Sequence, residues 1–131
     1  KLMKLNPDCI RDILIAVENG TDSEHGLFFS STEIPPLMDK YDYNTLLYHI
    51  RQCSKANLIE SPRYYDDGDS GLIPDLSPKG HEFLANIREN NIWNGVKAIS
   101  EKVGSASLDA ITQIASNVIT ELIKAQFGLI S

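Results

Sequence analysis

Cysteine is scarce in this 131-residue sequence: Cys9 and Cys53 are the only two, neither in a CxxC pair nor beside a run of histidines. Such spacing excludes a disulfide framework and supplies no structural zinc set. Two buried, reduced thiols are expected, which suits a reducing cytoplasm. Positive charge is also in short supply. Lys and Arg number 12 against 18 Asp and Glu, leaving a net charge of −6 at pH 7. That balance excludes a generic polybasic nucleic-acid binder, although a local basic face survives it. No uncharged stretch approaches the roughly 18 residues that a membrane span requires, so no membrane partner is expected. No signal-peptide pattern opens the chain, and Lys1 and Leu2 precede Met3, where the natural chain is expected to begin. Nucleophile elbow, phosphate loop, dinucleotide fingerprint and HExxH are all missing. The expectation is therefore a protein that is not an enzyme, with no catalytic residues, no cofactor and no metal.

A hydrophobic content of 42% with 23% charged residues is that of a folded domain. Asn6-Pro7-Asp8 combines a capping side chain, a proline for the first helical position and a carboxylate at the positive end of the dipole. Ile10, Ile13, Leu14 and Val17 then recur at helical spacing, and Asn19-Gly20 supplies the stop. Leu27-Phe28-Phe29 reads as a short strand, and Pro35-Pro36 breaks any continuous element. A second helix runs from after Asp42 to about Ala56. Its wheel gathers Tyr43, Leu46, Leu47, Ile50 and Cys53 on a core side and Asn44, Thr45, Tyr48, Arg51, Gln52 and Lys55 on the other. Asn57 can supply the left-handed turn into the short apolar stretch Leu58-Ile59-Glu60. Arg63-Tyr64-Tyr65 and Leu72-Ile73-Pro74-Asp75-Leu76 flank a turn-rich segment and read as a hairpin, with Pro74 confining the second strand to an edge or an interruption. Ser77-Pro78 restarts a helix, Asn90-Asn91 marks a break, and Gly104 stops the helical segment that carries Trp93 and Val96. From about Ser107 to Phe127 a last helix places Leu108, Ile111, Ala115, Val118, Leu122 and Ala125 on a heptad seam.

Helix, irregular piece, helix, strand, hairpin and helix is the order of a winged helix. The words Leu46-Leu47-Tyr48-His49-Ile50-Arg51-Gln52-Cys53-Ser54-Lys55-Ala56-Asn57-Leu58-Ile59 and Leu76-Ser77-Pro78-Lys79-Gly80-His81-Glu82-Phe83-Leu84 resemble winged-helix segments. Together with the opening Met3-Lys4-Leu5-Asn6-Pro7-Asp8-Cys9-Ile10-Arg11-Asp12-Ile13-Leu14, they make the chain similar to the bacterial and prophage family called domain of unknown function 2513. The similarity extends to the Ser107-Leu108 start and the Phe127-Gly128-Leu129 end of the last helix. The resemblance implies a mobile-element context and no assigned activity. The fold class expected is α+β: a winged helix-turn-helix-like domain over residues 3–90, then a helical extension over 91–131 for packing or self-association. Only Pro36 to Lys40 is available for a middle helix, which is very short or replaced by extended chain.

The polar side of the Tyr43-to-Ala56 helix supports two readings. As a groove-reading face, Asn44 and Gln52 can pair with adenine edges, Arg51 with guanine, and Lys55 and Thr45 with phosphate, while Tyr48 stacks or packs. As an ordinary solvated face it carries nothing. His49 and His81 occur without a partner spacing; His49, at the edge of the core stripe, reads as a packed, hydrogen-bonded side chain, and His25 falls in a polar loop. Asp66, Asp67 and Asp69 around Gly68 lack the spacing of a calcium loop. The terminal seam of Leu108, Ile111, Ala115, Val118 and Leu122 packs within the chain, dimerises or meets a membrane; its spacing favours a homodimer, and its sparse, balanced charge disfavours a membrane surface.

The acidity is unevenly spread. Residues 60–76 carry Glu60, Asp66, Asp67, Asp69 and Asp75 against Arg63, a net of −4, whereas residues 39–59 sum to +1. A wing that tracks phosphates is expected to be basic, because affinity comes from displacing counterions. The leading expectation is a cytoplasmic, non-enzymatic DNA-binding transcriptional regulator of a phage or mobile element. It would present Arg51 and Lys55, with Arg63 of the wing, to double-stranded DNA. The alternative is an adaptor or antagonist of the phage counter-defence type, whose acidic wing meets a host or phage protein with a basic surface.

Overall fold

The computed structural model describes residues 3–104 and 107–128; Lys1, Leu2 and Leu129 of the readings above lie outside them. It is an α+β protein with five α-helices and one three-stranded antiparallel sheet among the described residues. The chain divides into two compact units, with the division after His81.

The first unit opens with α1 (Pro7–Gly20). The Asn6 side chain accepts from the backbone N–H groups of Asp8 and Cys9, satisfying two of the donors that a helix start leaves unpaired. Cys9, Ile10, Ile13, Leu14 and Val17 are fully buried. Strand β1 (Leu27–Ser30) follows, and then a turn-rich connection in which Met38 donates to the Pro35 carbonyl and Tyr41 to that of Met38. No helix forms over Pro36 to Lys40, and Leu37 stands at φ 74°. Met38, with no exposed surface, anchors the connection in the core where a middle helix would have contributed its stripe.

Next come α2 (Tyr43–Lys55), β2 (Arg63–Tyr65), one 3-10 turn (Asp66–Gly68) and β3 (Ser70–Ile73). The sheet order is β1-β3-β2, with Phe29 opposite Gly71 and Tyr64 opposite Gly71 on its other side. Phe29 and Ile73 are buried, so alternation puts them with Tyr64 on the inner face and Phe28, Arg63 and Tyr65 on the outer one. Leu58-Ile59-Glu60 does not extend into a strand; only a bridge between Ile59 and Leu76 remains.

Helix α3 (Pro78–Ile87) begins in a dense hydrogen-bonded corner. The Ser77 hydroxyl donates to the Asn57 carbonyl and accepts from the Gly80 N–H, while the Ser77 N–H donates to Leu58. A Cβ at Gly80 would fall onto the Leu58 carbonyl oxygen, so glycine is required by close approach. The Ser-Pro-Lys-Gly word is thus a cap, a preset φ, a lysine whose Nζ donates to the Ala56 carbonyl, and a clearance.

The second unit holds the remainder of α3 with α4 (Asn90–Val103) and α5 (Leu108–Gln126). Gly104, at φ 72°, ends α4 in the left-handed conformation, and the Ser107 side chain caps α5. Trp93 and Val96 on α4 and Ile111 and Ala115 on α5 are buried, and these two helices pack against each other.

Candidate functional site

Helix α2 is firmly bounded. The Asp42 carboxylate accepts from the Thr45 N–H at 2.7 Å. At the other end the Leu58 N–H donates to the Cys53 carbonyl and that of Asn57 to Ser54, with Asn57 at φ 61°. This is a Schellman arrangement with asparagine in place of the usual glycine. Leu46, Ile50 and Cys53 fix the inner face. His49 is fully buried beside them: its Nε2 accepts from the Asn6 N–H, its Nδ1 donates to the Thr45 carbonyl, and the Tyr48 ring meets it edge-on at 5.1 Å.

Asn44, Arg51 and Lys55 are exposed on the opposite side, with Thr45, Tyr48 and Gln52 half-buried among them. From Asn44 to Lys55 this stripe spans about 17 Å at the usual helical rise.

The hairpin leans on α2 rather than standing free of it. Asp66, Asp67 and Gly68 take positive φ values of 51°, 56° and 92° in succession. Aspartate tolerates this region better than most side chains, and the turn it forms carries the Gly68 carbonyl to the Tyr43 hydroxyl, which donates at 2.7 Å. Arg51 lies over the Tyr64 ring, its Cζ 5.5 Å from the centroid. The Ser31 hydroxyl donates to Asp69 at 2.8 Å. Burial, followed by the neighbouring Asp69 carboxylate, pushes the Tyr43 phenol up from its ordinary value; burial does the same to Tyr64.

The structure therefore brings Arg51 together with the hairpin and keeps Asn44, Tyr48 and Lys55 on one outward stripe. Arg63 is exposed on the opposite face of the sheet from Tyr64, so it does not join Arg51. Lys40 also lies apart from that stripe: it pairs with the buried Asp12 at 3.1 Å, where the Tyr41 hydroxyl donates at 2.6 Å. Asp66, Asp67 and Asp69 are exposed. Tyr43 and Tyr64, which join helix and hairpin, were not among the sequence-derived site residues. Tyr43 sits on the margin of the core stripe, and strand alternation already separates Tyr64 from Arg63. On α5, Ile111 and Ala115 are buried and Leu108 and Val118 half-buried, whereas Leu122 is 50% exposed.

His81 lies 3.9 Å from Asp75, both partly exposed, and His25 is paired with Asp22 at 3.0 Å. Among the described residues no group of three or more His, Cys, Asp or Glu side chains could hold a metal ion. Among the same residues no helix is long and apolar enough to cross a membrane.

These elements define an α+β domain with a hairpin fastened to its second helix, followed by a helical unit. The chain matches, over residues 4–107, the model of the family described as "Hypothetical protein (DUF2513)", and it belongs to that family. It is 34% identical over 123 residues to an "Uncharacterized protein" of Haemophilus influenzae, an alignment covering 92% of this chain and 99% of that one. No solved structure matches it.

Proposed function

We propose that the first unit is a winged-helix domain and that the protein is a non-enzymatic DNA-binding transcriptional regulator of a phage or other mobile element. The order α1, β1, α2, β2, β3, with β3 central in the sheet, supports the winged-helix reading. The observation that carries the functional reading is the outward stripe of α2. Its polar side chains stand on a helix whose inner face is buried and whose ends are both capped. A helix of this diameter fits a major groove, where Arg51 is suited to the acceptor pair of guanine, Asn44 and Gln52 to adenine, and Lys55 and Thr45 to phosphate. The two free, buried thiols suit the cytoplasm. The exposed apolar end of α5 supports action as a homodimer, which would carry two copies of α2 to successive grooves. The mobile-element context is the one that the family resemblance implies.

The test is a gel-shift titration of the full chain against Arg51→Ala/Lys55→Ala. Loss of affinity in the double variant supports the reading, and unchanged affinity removes α2 from it. A second reading, an adaptor or antagonist that meets a basic protein surface, is favoured by one observation: Asp66, Asp67 and Asp69 are all exposed on the hairpin. Pull-down from lysate with and without nuclease separates the two, because nuclease-resistant capture of one protein demotes the DNA reading.

A further inference from the structure

Arg51 is the only arginine on α2, and the hairpin already holds it. Two contacts fasten hairpin to helix: the Tyr43 hydroxyl to the Gly68 carbonyl in the first turn of α2, and Arg51 over Tyr64 two turns later. Gly68 itself faces Leu47 and Arg51, since a Cβ placed there would lie 3.6 Å from a side-chain atom of each. The turn fastened in this way carries three carboxylates within four residues, with Asp66 and Asp67 exposed and Asp69 tied back to Ser31.

We propose that the wing is an electrostatic guard on α2, which lowers the helix's affinity for any phosphate backbone so that engagement depends on base-edge contacts. The inference rests on the DNA reading of α2 and specifies how that site is regulated. Non-specific binding is almost wholly electrostatic. Carboxylates within a Debye length, about 8 Å at physiological salt, oppose it directly. Hydrogen bonds to base edges are short-ranged and feel that field far less. The guard also works through geometry. Arg51 must leave the Tyr64 ring to reach a base, a cost that the bidentate edge of guanine offsets and a lone phosphate offsets less well. A basic wing adds affinity on every sequence, whereas this one subtracts it on every sequence and leaves discrimination to Asn44, Gln52 and Arg51.

Two double variants of equal charge change test this in the full chain. Asp66→Asn/Asp67→Asn neutralises the wing, and asparagine accepts the same positive φ. Asp22→Asn/Glu24→Gln neutralises two exposed acids of the loop between α1 and β1. The probe is a fluorescent random-sequence DNA duplex, read by anisotropy at physiological ionic strength, where the screening length stays near about 8 Å. The wing variant is expected to bind roughly tenfold tighter than the wild type and the loop variant within about twofold of it. A wing variant that binds while the wild type does not also supports the guard. Equal gains in both variants, or none in either while the wild type binds, overturn the guard and leave the DNA reading standing. Failure of all three proteins to bind the duplex overturns that reading and the guard with it.

Discussion

The backbone N–H of Asn6 donates to Nε2 of His49 at 2.8 Å, across 43 residues of chain, while Nδ1 of the same ring meets the Thr45 carbonyl at 2.8 Å. With Nε2 as acceptor and Nδ1 as donor, the imidazole is neutral and its tautomer fixed. Asn6 caps α1 with its side chain and reaches α2 with its backbone, so one residue sets the start of the first helix against the middle of the second.

His49→Ala should therefore act on stability. It removes a fully buried ring and leaves the Asn6 N–H without its acceptor, a combined loss of about 2–4 kcal/mol. Urea unfolding measures it, and a midpoint close to that of the wild type would show that the Asn6 contact does not hold the helices together.

Gly80→Ala should also be damaging although it adds only one carbon. The new Cβ would meet the Leu58 carbonyl oxygen, which is backbone and cannot rotate away. Either α3 shifts or the Ser77 cap opens, and overpacking of this kind costs about 1–3 kcal/mol or more. Thermal unfolding of Gly80→Ala beside Gly95→Ala separates clearance from glycine content, because nothing lies within 4 Å of a Cβ at Gly95.

Burial, with the Asp12 carboxylate second, pushes the Cys9 thiol up from 9.0 to about 12, and burial raises Cys53 in the same direction. Below pH 9 the thiols are protonated in folded and unfolded chains alike, and their contribution to stability is fully present. Above it the unfolded chain loses protons that the folded one retains, so that contribution falls away as pH rises towards 12. The urea midpoint should decline over this range, and less steeply in Cys9→Ala/Cys53→Ala than in the wild type. Thiol-reactive reagents at neutral pH should modify the native protein far more slowly than the unfolded one.

Leu122 on α5 and Phe127 at its C-terminal cap are 50% and 73% exposed, while Ile111 and Ala115 on the earlier turns are buried within the chain. If the homodimer forms through this end, light scattering should give twice the chain mass for the wild type. Leu122→Asp should give the single chain mass with its helical circular dichroism intact. A dimer that persists in Leu122→Asp, or after truncation at Gly104, would place the contact elsewhere.

Local signals in the sequence account for much of this fold. Asn6-Pro7-Asp8, Asp42, Ser77-Pro78, Gly104 and Ser107 mark helix ends because capping is settled within four residues of chain. The stripes of α1 and α2 are legible because burial follows helical period. Other features depend on partners distant in sequence. Tyr43 belongs by spacing to the core stripe of α2, yet its hydroxyl needs an acceptor, and only the folded hairpin supplies the Gly68 carbonyl. Arg51 and Arg63 look equivalent in composition, but strand alternation turns Arg63 to the far side of the sheet while Tyr64 draws Arg51 to the near one. Lys40 carries the same charge as Lys55, and the buried Asp12 takes it out of that face.

The scarcity of positive charge was determined by the sequence alone, as were the concentration of acid in residues 60–76, the positions of the helix caps and the pairing of β2 with β3. Those properties are sums over residues or follow from neighbours a few positions apart. Where the acidic hairpin lies was decided by tertiary structure, through Tyr43 and Arg51. A field acts through space, so where its effect falls depends on which helix the hairpin is fastened to.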